Sequence, residues 1–202
     1  MDKKRCFYVK AKGGIYAAVY KAAYASILYS IAEKHYKNVL YNPQIKKEDF
    51  NHFRVHDAIP KLKRSLIVGN QVILISRDPV ERFISACVET GTNPLRVLKQ
   101  FREKKKRIDE HFWPTSNWLV DGCRLYKFEE HLQDAVEDLG LNWPMVKIAG
   151  KNIKKPELKK EFREEVETIY AEDIALHKSI KKAGQIWTAS KTHSVEDILK
   201  FR

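Results

Sequence analysis

The sequence predicts an α/β domain of three layers, with helices on both faces of a central, mainly parallel sheet. Short apolar segments alternate with longer amphipathic segments along the chain, as in folds that are built from β–α–β units. The strongest of them, residues 71–76 (QVILIS), is almost continuously apolar, which is typical of a strand buried on both faces. Since no internal repeat or linker divides the chain, residues 1–202 are expected to form a single domain.

The first third of the chain is predicted to contain two strands and two helices. Residues 5–9 form a short β-rich segment that ends at the glycine pair Gly13–Gly14, and a helical pattern follows from 15 to about 34. Residues 39–41 are a weak second strand, and residues 44–66 combine a loop with a helix from about 59. The apolar face of the first helix is expected to lie in the core, and its members are Tyr16, Tyr20, Tyr24, Ile27 and Ile31.

The elements after residue 76 are predicted mainly by their start and stop signals. A helix begins at Pro79, because proline is favoured in a first turn, and runs to about Thr90, where Gly91 ends it. A very basic helix covers 94–107. A late strand, 124–128, leads into a helix at 129–139. The last predicted elements are an amphipathic helix over 156–182, which can break near Ala171, and a short helix that a capping box at 194–197 begins.

Composition limits the classes of function. The chain has 38 lysines and arginines against 26 aspartates and glutamates, a net charge of +12, which favours an anionic partner such as nucleic acid, a phosphorylated cofactor, an acidic glycan or a membrane surface. The three cysteines lie far apart without zinc-site spacing, so buried thiols are expected rather than disulfides or a metal site. The sequence shows neither a signal peptide nor a membrane span, and a soluble cytoplasmic protein is expected.

Two segments have the residue types that bind phosphate groups. Residues 9–16 (VKAKGGIY) combine a strand, a glycine turn with lysines and a predicted helix, an arrangement whose backbone amides can bind an anion, although a solvated basic loop would have the same pattern. The GxxxxGK[ST] pattern of ordinary nucleotide triphosphatases is absent. In the second segment, Arg77 follows the apolar strand and Ser85 lies eight residues later, so both can contact a phosphate at the carboxyl edge of the sheet.

The second segment is the more specific one. Residues 77–85 (RDPVERFIS) closely resemble the signature RDPxxRxxS of the sulfotransferases that use 3′-phosphoadenosine 5′-phosphosulfate, in particular those that act on carbohydrate hydroxyls. The resemblance implies a P-loop-like nucleotide-binding sulfotransferase fold in which Arg77 and Ser85 hold the 3′-phosphate. For Asp78 and Arg82 the local roles of helix cap and ion-pair partner are favoured.

The resemblance also gives the first turn a role. Sulfotransferases of this family have a PKxGxTS-like loop that holds the 5′-phosphosulfate, and the best alignment places Lys12 on its lysine, Gly14 on its glycine and Tyr16 on its threonine. It implies that Lys12 stabilises charge on the leaving phosphate while the amides of Gly13, Gly14, Ile15 and Tyr16 bind the phosphosulfate. Tyr16 departs from the family pattern, and an alignment through Lys10 is the alternative.

Sulfuryl transfer also needs a base that takes the proton of the acceptor hydroxyl. In carbohydrate sulfotransferases that resemble this chain, a histidine lies about twenty residues before the signature arginine. His56 lies twenty-one residues before Arg77 and is the first candidate, His111 is its rival, and Glu110 is third. Residues 109–115, 126–130 and 170–173 resemble further family segments.

The sequence therefore predicts a metal-free sulfotransferase that uses 3′-phosphoadenosine 5′-phosphosulfate to modify a hydroxyl acceptor, with a sugar or glycan favoured. Two alternatives stay open: a catalytically degenerate relative that binds an anionic nucleotide or glycan, and, less favoured, a basic nucleic-acid-binding domain. The basic run at 102–107 is either a solvated helix face or a surface for an anionic acceptor.

Overall fold

A computed structural model describes residues 6–35, 59–62, 67, 71–105, 108–145 and 158–189. These residues form an α/β fold around one six-stranded sheet, as the sequence predicts. The strands are β1 (Tyr8–Lys10), β2 (Ile15–Ala17), β3 (Lys61–Leu62), β4 (Val72–Ser76), β5 (Arg124–Lys127) and β6 (Gln185–Ile186).

The sheet is mixed, so the prediction of a mainly parallel sheet is wrong. Its strand order is β3-β1-β2-β4-β5-β6. Only the β2–β4 and β4–β5 pairs are parallel, whereas β1–β2, β1–β3 and β5–β6 are antiparallel. The antiparallel strands are two or three residues long and flank a parallel centre, and such short strands leave little signal in an amphipathic pattern.

Six α-helices accompany the sheet in the described part of the chain. They are α1 (Tyr24–His35), α2 (Pro79–Thr90), α3 (Pro94–Arg102), α4 (Phe128–Asp138), α5 (Lys160–Ile169) and α6 (Ala171–Ser179). Two short 3₁₀ turns, Glu110–Phe112 and Thr115–Trp118, lie between α3 and β5. The predicted helices at 79–90, 129–139 and 156–182 are confirmed, including the break, which falls at Tyr170.

Local chemistry explains the best-predicted unit, β4 with α2. All five residues of β4 are buried, so both of its faces are covered. The carboxylate of Asp78 caps α2 by accepting hydrogen bonds from the amides of Val80 (3.0 Å) and Glu81 (2.9 Å). Gly91 ends the helix with a φ of 61°, a left-handed conformation that glycine adopts without strain.

Other sequence predictions are corrected. Residues 15–34 do not form one helix, because residues 15–17 are β2, a loop follows, and α1 begins only at Tyr24. Residues 61–62 pair with β1 as a strand in place of the helix expected from about 59. The strand at 39–41 and the capping box at 194–197 lie outside the described residues, and β6 had no sequence signal.

The buried side chains form two clusters. The larger one contains the sheet together with the inner faces of α1 and α4, and the smaller one joins α2, α3 and α5. The tyrosine face of residues 16–31 is core, as predicted, and Cys6, Cys87 and Cys123 are buried and form no disulfide. Within the described ranges, no helix combines the length and apolarity that a membrane crossing requires.

Candidate functional site

A cleft of about 290 Å³ opens where the central parallel strands β2 and β4 end. Four segments supply its walls: the loop and first turn that follow β2, the loop and helix that follow β4, the 3₁₀ turn at residues 110–112, and the start of the helix that follows β5. The carboxyl ends of parallel strands are where α/β folds commonly bind ligands. The lining residues are Tyr20, Lys21, Ala23, Tyr24, Ala25, Ser26, Arg77, Ser85, Glu89, His111 and Phe128.

The loop between β2 and α1, residues 18–23, has an unusual backbone. Lys21 and Ala23 have φ angles of 66° and 59°, in a region that residues other than glycine rarely adopt. Hydrogen bonds hold the loop in place, because Ala22 O accepts from the Tyr16 hydroxyl (3.2 Å) and Lys21 O accepts from Arg77 Nη1 (3.0 Å). The loop delivers the chain directly into the first turn of α1.

The amino-terminal end of α1 faces the cleft. Tyr24, Ala25 and Ser26 form its first turn and line the cavity. The first amides of a helix have no partner within the helix, and the helix dipole adds partial positive charge there. That first turn contains no acidic side chain that would compete for the amides, so this wall of the cleft suits an anion.

Arg77 lies on the opposite wall, directly after β4. Its guanidinium stacks over the Phe128 ring, 5.0 Å from the centroid, and Nη1 is bonded to the β2–α1 loop. Its buried Nε finds no hydrogen-bond partner in the part of the chain that the structure describes. Burial lowers the pKa of Arg77, although the carboxylates of Glu129 and Glu81 oppose that shift, and arginine stays protonated in proteins. A half-buried cation with an unsatisfied buried donor favours a bound anion.

Ser85 and Lys21 complete the polar lining. Ser85 lies two turns into α2 on the side of the helix that faces the cleft. Lys21 forms an ion pair with Glu89, one turn further along α2, and both side chains are partly exposed. Because the Glu89 carboxylate is the counter-ion of Lys21 here, an anion that reaches Lys21 competes with it.

His111 enters the cleft from the 3₁₀ turn. Its Nδ1 lies 2.6 Å from Asp109 Oδ1, its ring centroid lies 4.6 Å from that of Tyr20, and 14% of its side chain is exposed. The neighbouring Glu110 accepts a hydrogen bond of 2.6 Å from the Tyr20 hydroxyl. The carboxylate of Glu110, the third candidate base, is therefore hydrogen-bonded to Tyr20. The imidazole of His111, in contrast, borders the cavity.

The structure brings together only part of the predicted site. Arg77, Ser85 and His111 line one cleft. Lys12, Gly13 and Gly14 form the turn of the β1–β2 hairpin, and the pairing of Ile15 with Val72 puts this turn beside the start of β4, at the edge opposite Arg77. His56 lies outside the described residues.

The prediction of a strand–turn–helix at residues 9–16 is therefore wrong. The Gly13 amide donates to Leu139 O (3.1 Å), which follows α4, and the Ala11 amide donates to Gly14 O (2.8 Å) within the turn. Ile15 and Tyr16 belong to β2, and both are buried. Without a helix after this turn, the assignment of Lys12 and of the amides of Gly13–Tyr16 to a phosphosulfate has no structural basis, and Lys10 at the same edge is no better placed.

The sequence reasoning missed the loop that does precede a helix. Residues 20–26 (YKAAYAS) have lysine and serine at the spacing of PKxGxTS, at Lys21 and Ser26, but tyrosine, alanine and alanine replace proline, glycine and threonine. Tyr16, Tyr20 and Tyr24 recur at helical spacing, so the sequence predicted one helix across this loop. The lysine–serine spacing directly after a buried apolar segment is the signal that could have identified it.

Arg82 has a different partner from the local one expected. Its guanidinium bonds the Asp173 carboxylate at 3.3 Å across 91 residues, and the exposed fractions of the two side chains are 1% and 0%. Asp173 also accepts hydrogen bonds from the amides of Thr115 (2.6 Å) and Ser116 (2.9 Å). The pair therefore connects α2 and α6 with the segment that follows His111, while Asp78 has the capping role predicted for it.

Comparison with family models, with curated proteins and with solved structures yields no match for this chain.

Proposed function

We propose that this protein is a sulfotransferase that moves a sulfuryl group from 3′-phosphoadenosine 5′-phosphosulfate to a hydroxyl acceptor, with a sugar as the favoured acceptor. One observation carries the proposal: the signature residues Arg77 and Ser85 line the same cleft as the Lys21–Ser26 segment at the start of α1. The two segments are far apart in sequence: Arg77–Ser85 matches the signature of that family, and Lys21 and Ser26 share the lysine and serine of its phosphosulfate loop. The proposal includes the P-loop-like fold of the family.

The residues fit the two ends of such a donor nucleotide. Arg77 has a buried Nε without a described partner, and Ser85 adds a hydroxyl on the same wall, so these two would hold the 3′-phosphate. The amides at the start of α1 and the Lys21 ammonium would hold the 5′-phosphosulfate. The donor would supply the activated sulfuryl group, and the chain would supply orientation and positive potential.

Lys21 would contribute more to the rate than to binding. Negative charge grows on the leaving phosphate as the sulfuryl group departs, and a fixed ammonium stabilises that charge more in the transition state than in the bound donor. For this the Lys21 ammonium must leave Glu89, its present partner. His111 lines the cleft and is the acceptor base of this proposal, whereas His56 lies outside the described residues and stays a prediction.

Nucleotide binding is the first test. Calorimetry should show that 3′-phosphoadenosine 5′-phosphate binds at least tenfold more tightly than adenosine 5′-phosphate, because Arg77 and Ser85 contact only the extra phosphate. Equal affinity for the two nucleotides would contradict the proposal. Competition by a polynucleotide at equal phosphate concentration would instead favour the nucleic-acid-binding alternative.

Transfer is the second test. The chain should move labelled sulfate from the donor to at least one member of a panel of mono- and oligosaccharides. Tight nucleotide binding without transfer to any acceptor would favour the degenerate, binding-only relative. The alanine at residue 25 bears on that alternative, since it removes a hydroxyl from the family loop.

A further inference from the structure

The segment around His111 has an arrangement that nucleotide binding does not require. The Asp109 carboxylate accepts two hydrogen bonds through Oδ1, one from the His111 amide (2.9 Å) and one that joins it to His111 Nδ1 (2.6 Å). The first bond makes Asp109 the cap of the 3₁₀ turn. The second fixes the imidazole itself.

An aspartate on one ring nitrogen determines what the other nitrogen can do. A carboxylate only accepts hydrogen bonds, so Nδ1 must carry the proton in the neutral ring and Nε2 must be the nitrogen with a free lone pair. In the other tautomer, two acceptors would face each other at 2.6 Å. Nε2 is therefore the proton-accepting atom of His111, and the ring borders the cleft.

Both ends of the segment are held by buried contacts. Before His111, Ile108 O accepts from Trp113 Nε1 (2.9 Å), and after it Phe112 O accepts from the buried Tyr170 hydroxyl (2.5 Å). The Asp173 carboxylate fixes the amides of Thr115 and Ser116. A base that is held in this way loses little conformational freedom when the acceptor binds.

The segment is also fastened to the nucleotide side of the cleft. Glu110 accepts from the Tyr20 hydroxyl, and the His111 ring contacts the Tyr20 ring. Tyr20 directly precedes Lys21, so the imidazole lies next to the loop assigned to the phosphosulfate. A base for the acceptor must lie at this side of the cleft.

We infer that His111 and Asp109 form a catalytic dyad, in which Nε2 of His111 takes the acceptor's proton and Asp109 is the positioning residue. The inference rests on the proposed function. The acceptor oxygen bonds to sulfur as its proton moves to Nε2, and the electron pair of the broken sulfur–oxygen bond leaves with the nucleotide phosphate. The resulting imidazolium is stabilised by the Asp109 carboxylate on Nδ1.

The tautomer can be measured without any transfer reaction. Nitrogen NMR of the full chain, labelled in its 7 histidines, should show His111 protonated at Nδ1 when the ring is neutral, with His111→Ala identifying its signals. Asp109→Asn should keep this tautomer, because its amide oxygen still accepts from Nδ1, and Asp109→Ala should lose it. A neutral His111 protonated at Nε2 in the unaltered protein would overturn the dyad, whatever the outcome of the transfer assay.

Transfer kinetics separates the effect of the Asp109 charge from its role as the cap of the 3₁₀ turn. Asparagine caps helices as well as aspartate does, so Asp109→Asn keeps the turn and removes only the charge. It should lower kcat at least tenfold and leave the nucleotide Kd unchanged within twofold, whereas His111→Ala should cost about 10²–10⁴-fold in kcat. The matched control is Asp134→Asn, an exposed aspartate on α4, which should leave both quantities unchanged.

Two outcomes would separate this inference from the proposed function. Normal kcat in both Asp109→Asn and Asp109→Ala, with transfer intact in the unaltered protein, would overturn the dyad alone. Equal affinity of the unaltered protein for 3′-phosphoadenosine 5′-phosphate and adenosine 5′-phosphate would overturn the proposed function. The NMR experiment would still test the Nδ1 tautomer of His111.

Discussion

Two lysine-containing segments of this protein, the turn at Lys12–Gly14 and the loop at Lys21–Ser26, look alike as sequence and differ in the fold. Both follow a short apolar segment, and in both the lysine is followed by two small residues. The first connects two antiparallel strands, whereas the second leaves the carboxyl end of a parallel strand and enters α1. Only the second lies in the cleft with Arg77.

The comparison shows that residue types alone do not make an anion site. A lysine and two glycines in a hairpin turn provide charge and flexibility, but the Gly13 amide is bonded to Leu139, the residue that follows α4. A helix that begins at the end of a parallel strand provides free amides with a common direction. The position of a segment in the topology therefore decides whether its lysine can meet a bound phosphate.

The glycines differ in the same way. A side chain at Gly13 would overlap Asp138 O and lie 2.9 Å from Gly140 N, so the hairpin turn needs glycine for close packing against the end of α4. In the cleft loop, Ala23 has a φ of 59° that glycine would adopt without strain. Glycine is therefore present at residue 13, where close packing requires it, and is replaced by alanine at residue 23, where the backbone conformation favours glycine.

The largest expected effect is the loss of sulfuryl transfer in Lys21→Ala. Lys21→Ala should lower kcat for sulfuryl transfer by about 10²–10³-fold, because it removes the charge that stabilises the leaving phosphate. Lys12→Ala, the matched control at the opposite edge, should stay within twofold of the unaltered protein. Steady-state kinetics on both variants decides, and the reverse result would restore the hairpin turn as the phosphosulfate site.

The next effect concerns the wall opposite α1. Arg77→Ala should weaken binding of 3′-phosphoadenosine 5′-phosphate by about 1.5–3 kcal/mol, the value of a hydrogen bond to a charged group. Affinity for adenosine 5′-phosphate should change much less, since it has no 3′-phosphate. Calorimetry with both nucleotides measures the difference, and an equal loss for both would mean that Arg77 supports the loop through Lys21 O rather than the ligand.

Gly13→Ala should affect stability and not nucleotide affinity. The new methyl group would meet backbone atoms of residues 138 and 140, so we expect a loss of roughly 1–3 kcal/mol in the free energy of unfolding, the usual range for overpacking. Urea unfolding followed by circular dichroism gives that value. A large loss of nucleotide affinity in a folded variant would contradict the separation of the two edges.

Ala23→Gly should have the smallest effect. Relief of the left-handed conformation at an alanine is worth about 1–2 kcal/mol, and the greater freedom of glycine in the unfolded chain costs about 0.4–1 kcal/mol. The net expectation is a stabilisation of up to about 1.6 kcal/mol, visible as a higher midpoint in urea. Destabilisation by this change would mean that the loop backbone differs from the conformation described.

The part of the candidate site that the sequence predicts is the part whose residues form one contiguous motif. Arg77 and Ser85 were found because their motif is contiguous and begins at an obvious buried strand. The loop at Lys21 was missed because Tyr16, Tyr20 and Tyr24 repeat at helical spacing across a strand, a loop and a helix. Their side chains share one core for tertiary reasons, which a periodicity of three to four residues cannot distinguish from one helix face.

The sequence by itself determined the elements whose signals are local. These are the buried strand β4, the cap of α2 at Asp78, the end of that helix at Gly91, and the signature from Arg77 to Ser85. Each depends on residues that are neighbours in the chain.

Tertiary structure alone decided which of these segments meet. The pairing of β2 with β4 places the Lys21 loop beside Arg77 and puts the Lys12 turn at the far edge. Asp173 of α6 accepts hydrogen bonds from the amides of residues 115 and 116. The preceding 3₁₀ turn, residues 110–112, places His111 against Tyr20. Contacts between segments fifty or more residues apart depend on strand order and packing, and neither is encoded in a local pattern.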